Sequence, residues 1–287
     1  MRMLTSIIGN SQKLDGGAMF GHVPKSLWGK WFPADIKNRI PLACRALLIQ
    51  EKDRNILLET GVGAFFDPSL RDRYGVEEDN HVLLDSLKKC GLSDSDIHVV
   101  ILSHLHFDHA GGLLSAWKKD KKPDLLFPNA NYLVSKNAWE RACHPHLRDK
   151  ASFIPQLNDL LHQSGRLVVI EGEKCDLLGD DYQFMFTNGH TPGLMHTVID
   201  MPEGEAVIFA SDLIPGAHWI HLPVGMGYDR LAEVLIDEKK AMLEFAIMKN
   251  ARLFFTHDPY IAMSKVQCDD AGKYTSVREE KDFFRIR

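Results

Sequence analysis

Residues 104–109 read His-Leu-His-Phe-Asp-His, which places three histidines and one aspartate within six positions. This run lies one residue beyond the apolar segment 99–102, Val-Val-Ile-Leu, which predicts a buried strand. Successive side chains of a strand point to opposite faces, so a strand cannot aim all four polar groups at one point. We therefore expect the run to lie in the turn that leaves the strand, where a folded loop can bring these groups together.

The composition of the run favours a metal site. Neutral imidazoles and a carboxylate are ligands that zinc and similar cations take in proteins. The alternative is a set of surface histidines in a polar loop. Three histidines in six residues, followed by the small residues Ala110, Gly111 and Gly112, favour the metal site over that alternative.

Three further apolar segments also lead to a histidine or a carboxylate. These are residues 182–186 before His190, residues 206–210 before Asp212, and residues 253–255 before His257. Four strand ends in order thus deliver candidate ligands into loops. Loops on a rigid sheet are where α/β enzymes commonly place their functional groups, so the pattern predicts one site built at a sheet edge.

The composition excludes several classes of protein. With 45% hydrophobic and 25% charged residues, the 287-residue chain is typical of a globular protein. A net charge of −5 gives no electrostatic reason to expect a nucleic-acid partner, and no apolar run is long enough to span a bilayer. The five cysteines form no Cys-x-x-Cys pair, and residues 1–9 lack the features of a signal peptide. We therefore expect a cytoplasmic protein without a membrane partner.

The chain shows no linker rich in Pro, Gly or Ser, so we expect residues 1–287 to form a single domain. Residues 10–41 predict a long irregular loop that covers the active-site cleft, because this segment carries glycines, prolines and exposed-looking aromatic residues. Helices are predicted over residues 82–90 and 231–248, the second with Asp229 as its N-cap.

The order of these motifs resembles that of the metallo-β-lactamase-fold metallohydrolase superfamily. The matching parts are His-x-His-x-Asp-His at 104–109, Gly-His-Thr-Pro-Gly at 189–193, and the strand-end residues Asp212 and His257. The resemblance runs from about residue 42 nearly to the C-terminus. It implies an α/β fold, a four-layer αββα sandwich with the site at one edge of its two sheets.

The resemblance also implies two divalent metal ions per chain, with zinc expected and iron, manganese or cobalt as alternatives. Carried over residue by residue, the first ion is held by His104, His106 and His190, the second by Asp108, His109 and His257, and both by Asp212. A hydroxide that bridges the metals would attack the substrate. Asp108 and Asp212 are the predicted catalytic residues, with Asp108 orienting the hydroxide and passing its proton to the leaving group.

Within the superfamily, the chain most resembles the branch of quorum-quenching lactonases and methyl parathion hydrolase-like enzymes. The segments that carry this resemblance are residues 14–21 and 139–153, and the carboxylate of Asp212 agrees with it. The chain departs from the pattern in having Pro215 in place of a tyrosine, Leu194 in place of a frequent histidine, and Glu59 in place of an aspartate.

The expected reaction is hydrolysis of a small neutral ester or lactone, because the predicted cleft wall is apolar and no arginine cluster is present to bind a highly charged group. The residues predicted to line the cleft are Met19, Phe20, His218, His221 and Tyr228. Each has an alternative: Met19 and Phe20 could pack on the core, the histidines could lie on a surface loop, and Tyr228 could be structural. Glu59 is expected beside the ligands, where it orients a ligand histidine through its other ring nitrogen, and His196 is expected either beside the ligands or in the core.

Two other functions stay open at this point. The same site could hydrolyse phosphotriesters or phosphodiesters, or the chain could be a non-catalytic metal-binding sensor or scaffold; a mononuclear iron oxygenase is a further alternative. All seven positions that the resemblance assigns to metal ligands carry a ligand residue. This favours an enzyme, because a scaffold need not keep a complete site. The expected partner is a small-molecule substrate, and a homodimer is left open.

Overall fold

The computed structural model describes residues 2–286. The strands are β1 (Met3–Ile8), β2 (Gln12–Asp15), β3 (Arg39–Leu42), β4 (Arg45–Gln50), β5 (Asn55–Leu58), β6 (Val99–Ile101), β7 (Asn131–Ser135), β8 (Leu167–Ile170), β9 (Tyr182–Thr187), β10 (Leu194–Asp200), β11 (Ala206–Phe209), β12 (Ala251–Phe254), β13 (Met263–Cys268) and β14 (Tyr274–Glu280). The helices are α1 (Gly16–Phe20), α2 (Lys25–Trp28), α3 (Pro68–Arg73), α4 (Val82–Lys89), α5 (Phe107–Ala110), α6 (Lys136–Cys143), α7 (Pro155–Gln163) and α8 (Ala232–Met248). Among these helices, none is both long and apolar enough to cross a membrane.

The chain divides into two compact units. Unit 1 comprises residues 2–12, 43–171 and 284–286, and unit 2 comprises residues 13–42 and 172–283. Each unit has its own buried hydrophobic cluster. The single-domain organisation stays a prediction.

Unit 1 contains a six-stranded sheet in the order β1-β4-β5-β6-β7-β8. The first three strands pair antiparallel, and β5, β6, β7 and β8 run parallel. All three residues of β6 are buried, as expected for a strand with parallel neighbours on both sides. Because β5 and β6 are parallel, the residues that follow them, Glu59 and Ser103, emerge at the same edge of the sheet.

Unit 2 contains the second six-stranded sheet, in the order β14-β13-β12-β11-β10-β9. Its central pair β11 and β12 is parallel, and the other pairs are antiparallel. The ends of β11 and β12 therefore lie at one edge, which is also the edge where the antiparallel β10 begins. This topology brings the segments after β9, β11 and β12 to the same end of the sheet, as the sequence predicted.

Residues 10–41 are more regular than we predicted. This segment forms β2, β3, α1 and α2, and the two strands pair with each other. The side chains of Phe20, Trp28 and Phe32, which look exposed in the sequence, are fully buried in the core of unit 2. Their burial is explained by ring contacts with each other and with Trp219, which a local sequence pattern cannot reveal.

The predicted helices at 82–90 and 231–248 are present as α4 and α8. The proposed N-cap of α8 was wrong, because Leu231 occupies that position without a side-chain cap and Asp229 has other partners. The predicted α/β class is confirmed, because each unit contains one mixed sheet with its helices.

Candidate metal centre

A first cluster of candidate ligands lies in unit 1, in the turn that leaves β6. His104 and His106 precede the single helical turn α5, and this turn carries Asp108 and His109. The three histidines are buried and Asp108 is half-buried. The prediction that a folded turn gathers these four side chains after the strand is confirmed.

The small residues after the run let the turn pack closely against the end of β5. A Cβ atom on Gly112 would lie 2.0 Å from the carbonyl oxygen of Thr60. Two backbone hydrogen bonds join the same two segments: the Gly112 N–H donates to Gly61 O at 2.8 Å, and the Thr60 N–H donates to His109 O at 3.0 Å. The glycine is therefore required for the backbone approach that holds α5 in place.

The ring nitrogens of the first cluster converge. His104 Nε2 and His106 Nδ1 lie 2.9 Å apart, and the ring centroids of His104 and His109 are separated by 4.1 Å. His109 Nε2 lies 3.8 Å from a carboxylate oxygen of Asp108. Imidazole nitrogens and carboxylate oxygens at such distances are the kinds of atom that bind divalent metals.

Glu59 contacts two members of the cluster, one directly and one through a hydroxyl. Its Oε2 lies 2.9 Å from His109 Nδ1, and its Oε1 accepts a hydrogen bond from the Ser103 hydroxyl, which in turn lies 2.9 Å from His104 Nδ1. A carboxylate on Nδ1 holds the His109 proton there and directs the lone pair of Nε2 toward a metal. Glu59 adopts a left-handed backbone conformation with φ of +60°, an uncommon state for this residue type and one often found at functional sites.

A second cluster lies in unit 2 and consists of His190, Asp212 and His257. The Asp212 carboxylate spans the two histidines, with Oδ2 3.1 Å from His190 Nε2 and Oδ1 3.1 Å from His257 Nε2. All three side chains are buried. The carboxylate thus presents one oxygen to each imidazole.

Asp229 is the partner that sequence reasoning missed. Its Oδ1 lies 2.9 Å from His190 Nδ1, and its Oδ2 accepts a hydrogen bond from the Met226 N–H at 2.6 Å. The buried carboxylate therefore orients His190 in unit 2 as Glu59 orients His109 in unit 1. An aspartate just before a helix also fits an N-cap, so the local sequence could not distinguish the two roles.

His196 is fully buried in unit 2, and its Nε2 lies 2.8 Å from the Thr187 hydroxyl. Burial lowers its pKa to about 4, so the ring is neutral at physiological pH. The predicted role beside the ligands is not needed to explain this residue, because the hydrogen bond and the core packing account for its placement.

The residues predicted to line a cleft have different surroundings. Met19 and Phe20 are buried in the core of unit 2, where Phe20 stacks on Trp219 with ring centroids 4.4 Å apart and the indole N–H of Trp219 donates to Met19 O. This placement agrees with the alternative of core packing. The side chain of Tyr228 is exposed.

His218 and His221 line a cavity of about 470 Å³ in unit 2. His218 is half-buried and stacks on Trp31 at 4.9 Å, and burial lowers the pKa of both histidines. Among the described residues that line this cavity, none belongs to the second cluster. A role for these histidines at the substrate stays a prediction.

The two clusters and the two mixed sheets define the class of protein. Residues 39–257 match the model of the metallo-β-lactamase superfamily, and this match covers more than half of the chain. The chain therefore belongs to this superfamily and has its α/β fold, as predicted, and it is a metal-dependent hydrolase.

Three similar proteins show how much of the chain the likeness covers. The N-acyl homoserine lactonase AiiA of Bacillus thuringiensis subsp. kurstaki is 26% identical over 232 residues, which cover 76% of this chain and 82% of that protein. A probable metal-dependent hydrolase from Staphylococcus aureus superposes with a TM-score of 0.84 at 26% identity, covering 99% of this chain and 96% of that one. AidC, a dizinc quorum-quenching lactonase solved with a product, superposes with a TM-score of 0.76 at 24% identity over 97% and 95% of the two chains.

Proposed function

We propose that this chain is a dinuclear metal-dependent lactonase that opens small neutral lactones, with N-acyl homoserine lactones as the first substrates to test. The relatives named for that activity support the substrate class. The single observation that carries the proposal is the carboxylate of Asp212, which faces His190 and His257 with separate oxygens at equal distances of 3.1 Å.

The proposed ligands are those that the superfamily motif implies. They are His104, His106 and His190 for one ion, Asp108, His109 and His257 for the other, and Asp212 for both. The donor set fits divalent cations, because neutral imidazoles and carboxylates are the preferred ligands of zinc, iron, manganese and cobalt. The carboxylates on His109 Nδ1 and His190 Nδ1 support this assignment, since each leaves Nε2 as the ligand atom.

Divalent ions, when bound, supply Lewis acidity and a water of lowered pKa. The residues of the chain supply orientation and proton transfer. Asp108 is the one half-buried member of the first cluster. Its carboxylate can therefore contact both the neighbouring His109 and the reacting groups of a substrate. We assign to Asp108 the orientation of the attacking water and the transfer of its proton to the leaving alkoxide of the opened ring.

A lactone suits this centre better than a highly charged substrate. Opening the ring breaks one ester bond of a neutral group and yields a hydroxy acid, so the substrate needs no cationic pocket. The chain has a net charge of −5, and such a charge does not attract anionic substrates.

The test is metal analysis combined with turnover. Purified protein should contain about two divalent ions per chain and should open N-hexanoyl homoserine lactone, with activity lost on chelation and restored by added zinc, manganese or cobalt. Paraoxon is assayed in parallel. Preference for paraoxon would replace the lactonase by a phosphotriesterase, and two bound ions without turnover of either substrate would indicate a non-catalytic metal protein.

A further inference from the structure

Helix α8 packs against the loop that precedes His190. A Cβ atom on Gly189 would lie 2.4 Å from the Cα atom of Leu235, so only glycine permits this approach. The backbone N–H groups of Arg230 and Leu231 both donate to Gly189 O, at 2.8 and 2.9 Å. The residue just before His190 is thus fixed against the start of the helix.

Glu238 on α8 binds the same loop through its side chain. Its Oε1 accepts a hydrogen bond from the Asn188 N–H at 2.7 Å, and its Oε2 accepts one from the Gly189 N–H at 2.8 Å. A carboxylate that receives two consecutive backbone N–H groups holds the loop by charge-assisted hydrogen bonds.

The next residue, Lys239, is fully buried, which is rare for a lysine. Its ammonium group donates to three backbone carbonyl oxygens, those of Trp219 at 3.1 Å, His221 at 3.2 Å and Val224 at 2.5 Å. Burial lowers the pKa of Lys239 to about 7, and the negative charge of Asp229 opposes that shift. Three carbonyl partners satisfy the three N–H groups of the ammonium and tie residues 219–224 to the helix.

Residues 219–224 lead directly to the partner of His190. The Val224 N–H donates to His221 O, and the turn that follows is closed by the hydrogen bond from the Met226 N–H to Asp229. Asp229 then contacts His190 Nδ1 at 2.9 Å. The segment held by Lys239 therefore ends on the carboxylate that orients the imidazole.

We propose that Glu238 and Lys239 form a positioning pair for His190, in which Glu238 fixes the backbone before the histidine and Lys239 fixes the segment that carries Asp229. The inference rests on the proposed function only in treating His190 as a metal ligand. A histidine on a loop has backbone and ring freedom. Glu238 restrains the backbone before His190, and Asp229, on the segment that Lys239 holds, restrains the ring. Removal of either contact should therefore loosen the imidazole without removing any metal ligand.

The experiment uses Glu238→Gln and Lys239→Met, with their exposed neighbours as matched controls, Asp237→Asn and Lys240→Met. The first readout is the Nδ1–H signal of His190 in metal-free protein labelled with ¹⁵N-histidine, assigned by its loss in His190→Gln. The second is the dissociation constant for zinc, measured by competition with a chelator. In both test variants we expect a broadened or lost Nδ1–H signal and about tenfold weaker zinc binding. Both controls should match the wild type.

An unchanged Nδ1–H signal together with unchanged zinc affinity in folded test variants would overturn the proposal. Glu238 is only half-buried, so Glu238→Gln alone decides the question if Lys239→Met does not fold. Failure of the proposed function would look different: the wild type would bind zinc and lack lactone turnover, while the Nδ1–H signal would still depend on Glu238 and Lys239.

Discussion

The two clusters of candidate ligands are built in different ways. In unit 1, four candidates come from six consecutive residues in one turn after β6. In unit 2, the three candidates follow three different strands, and the sheet topology brings their ends to one edge. A contiguous motif depends mainly on the conformation of one turn, whereas a dispersed cluster depends on the correct packing of a whole sheet.

The two carboxylates that orient the histidines also differ in how the chain positions them. Glu59 directly follows β5, whose parallel neighbour β6 leads to the histidine motif, so the pairing of two strands suffices to place it. Asp229 lies in a loop that is held by α8 through Lys239. The second cluster should therefore be more sensitive to changes in distant residues than the first.

The largest expected effect is the loss of one ligand from each cluster. His106→Ala in unit 1 and Asp212→Ala in unit 2 should abolish metal occupancy and lower kcat/KM by at least about a thousandfold, because metal ions supply several kcal/mol of transition-state stabilisation. Metal analysis, lactone turnover and circular dichroism of the folded variants measure this. Full activity in both variants would refute the assignment of the site.

A smaller effect is expected from the two orienting carboxylates. Glu59→Asp shortens the side chain by one methylene and withdraws it from His109, and Asp229→Ala removes the acceptor of His190. Each should weaken zinc binding about 10- to 100-fold in a chelator competition assay. The exposed Glu203→Asp serves as control. Weaker zinc binding in only one of the two variants would show that an orienting carboxylate matters in one cluster and not in the other.

Two glycines test the close backbone approaches in the two units. Gly112→Ala and Gly189→Ala each insert a Cβ atom within 2.4 Å or less of a neighbouring backbone atom, and should lower the free energy of unfolding by about 1–3 kcal/mol. Gly172→Ala is the control, because a Cβ there meets no atom within 4 Å. Urea denaturation of the metal-free proteins gives the values. Equal stability of all three variants would contradict the packing described here.

His196 should make the stability of the protein depend on pH. The pKa of His196 is about 4 in the folded protein, against the ordinary value of 6.5 that applies to the unfolded chain. Between these two pH values the unfolded chain binds a proton that the folded chain does not. The free energy of unfolding therefore rises with pH across this window, by at most about 1.4 kcal/mol per pH unit, and falls on acidification. Urea denaturation from pH 4.5 to 7.5 should give a flatter profile for His196→Gln than for the wild type. Parallel profiles would show that His196 does not contribute.

The sequence predicted the contiguous parts of this molecule well. The strand before residue 103, the turn that gathers His104, His106, Asp108 and His109, and the helices α4 and α8 all depend on neighbours in the chain. The burial of Lys239 was not predicted, although this residue lies four residues after Leu235 and three before Met242 on the apolar face of α8.

Only the tertiary structure decided which remote groups meet. Three aromatic residues looked exposed because Trp219, which packs against two of them, lies far along the chain; they are Phe20, Trp28 and Phe32. Asp229 looked like a helix cap because it lies just before α8, and only the folded chain shows its contact with His190. Likewise, no local pattern shows that the Lys239 ammonium binds the carbonyls of residues 219–224. Backbone preferences and side-chain periodicity act over a few residues, and a hydrogen bond between distant segments exists only after the sheets and helices have packed.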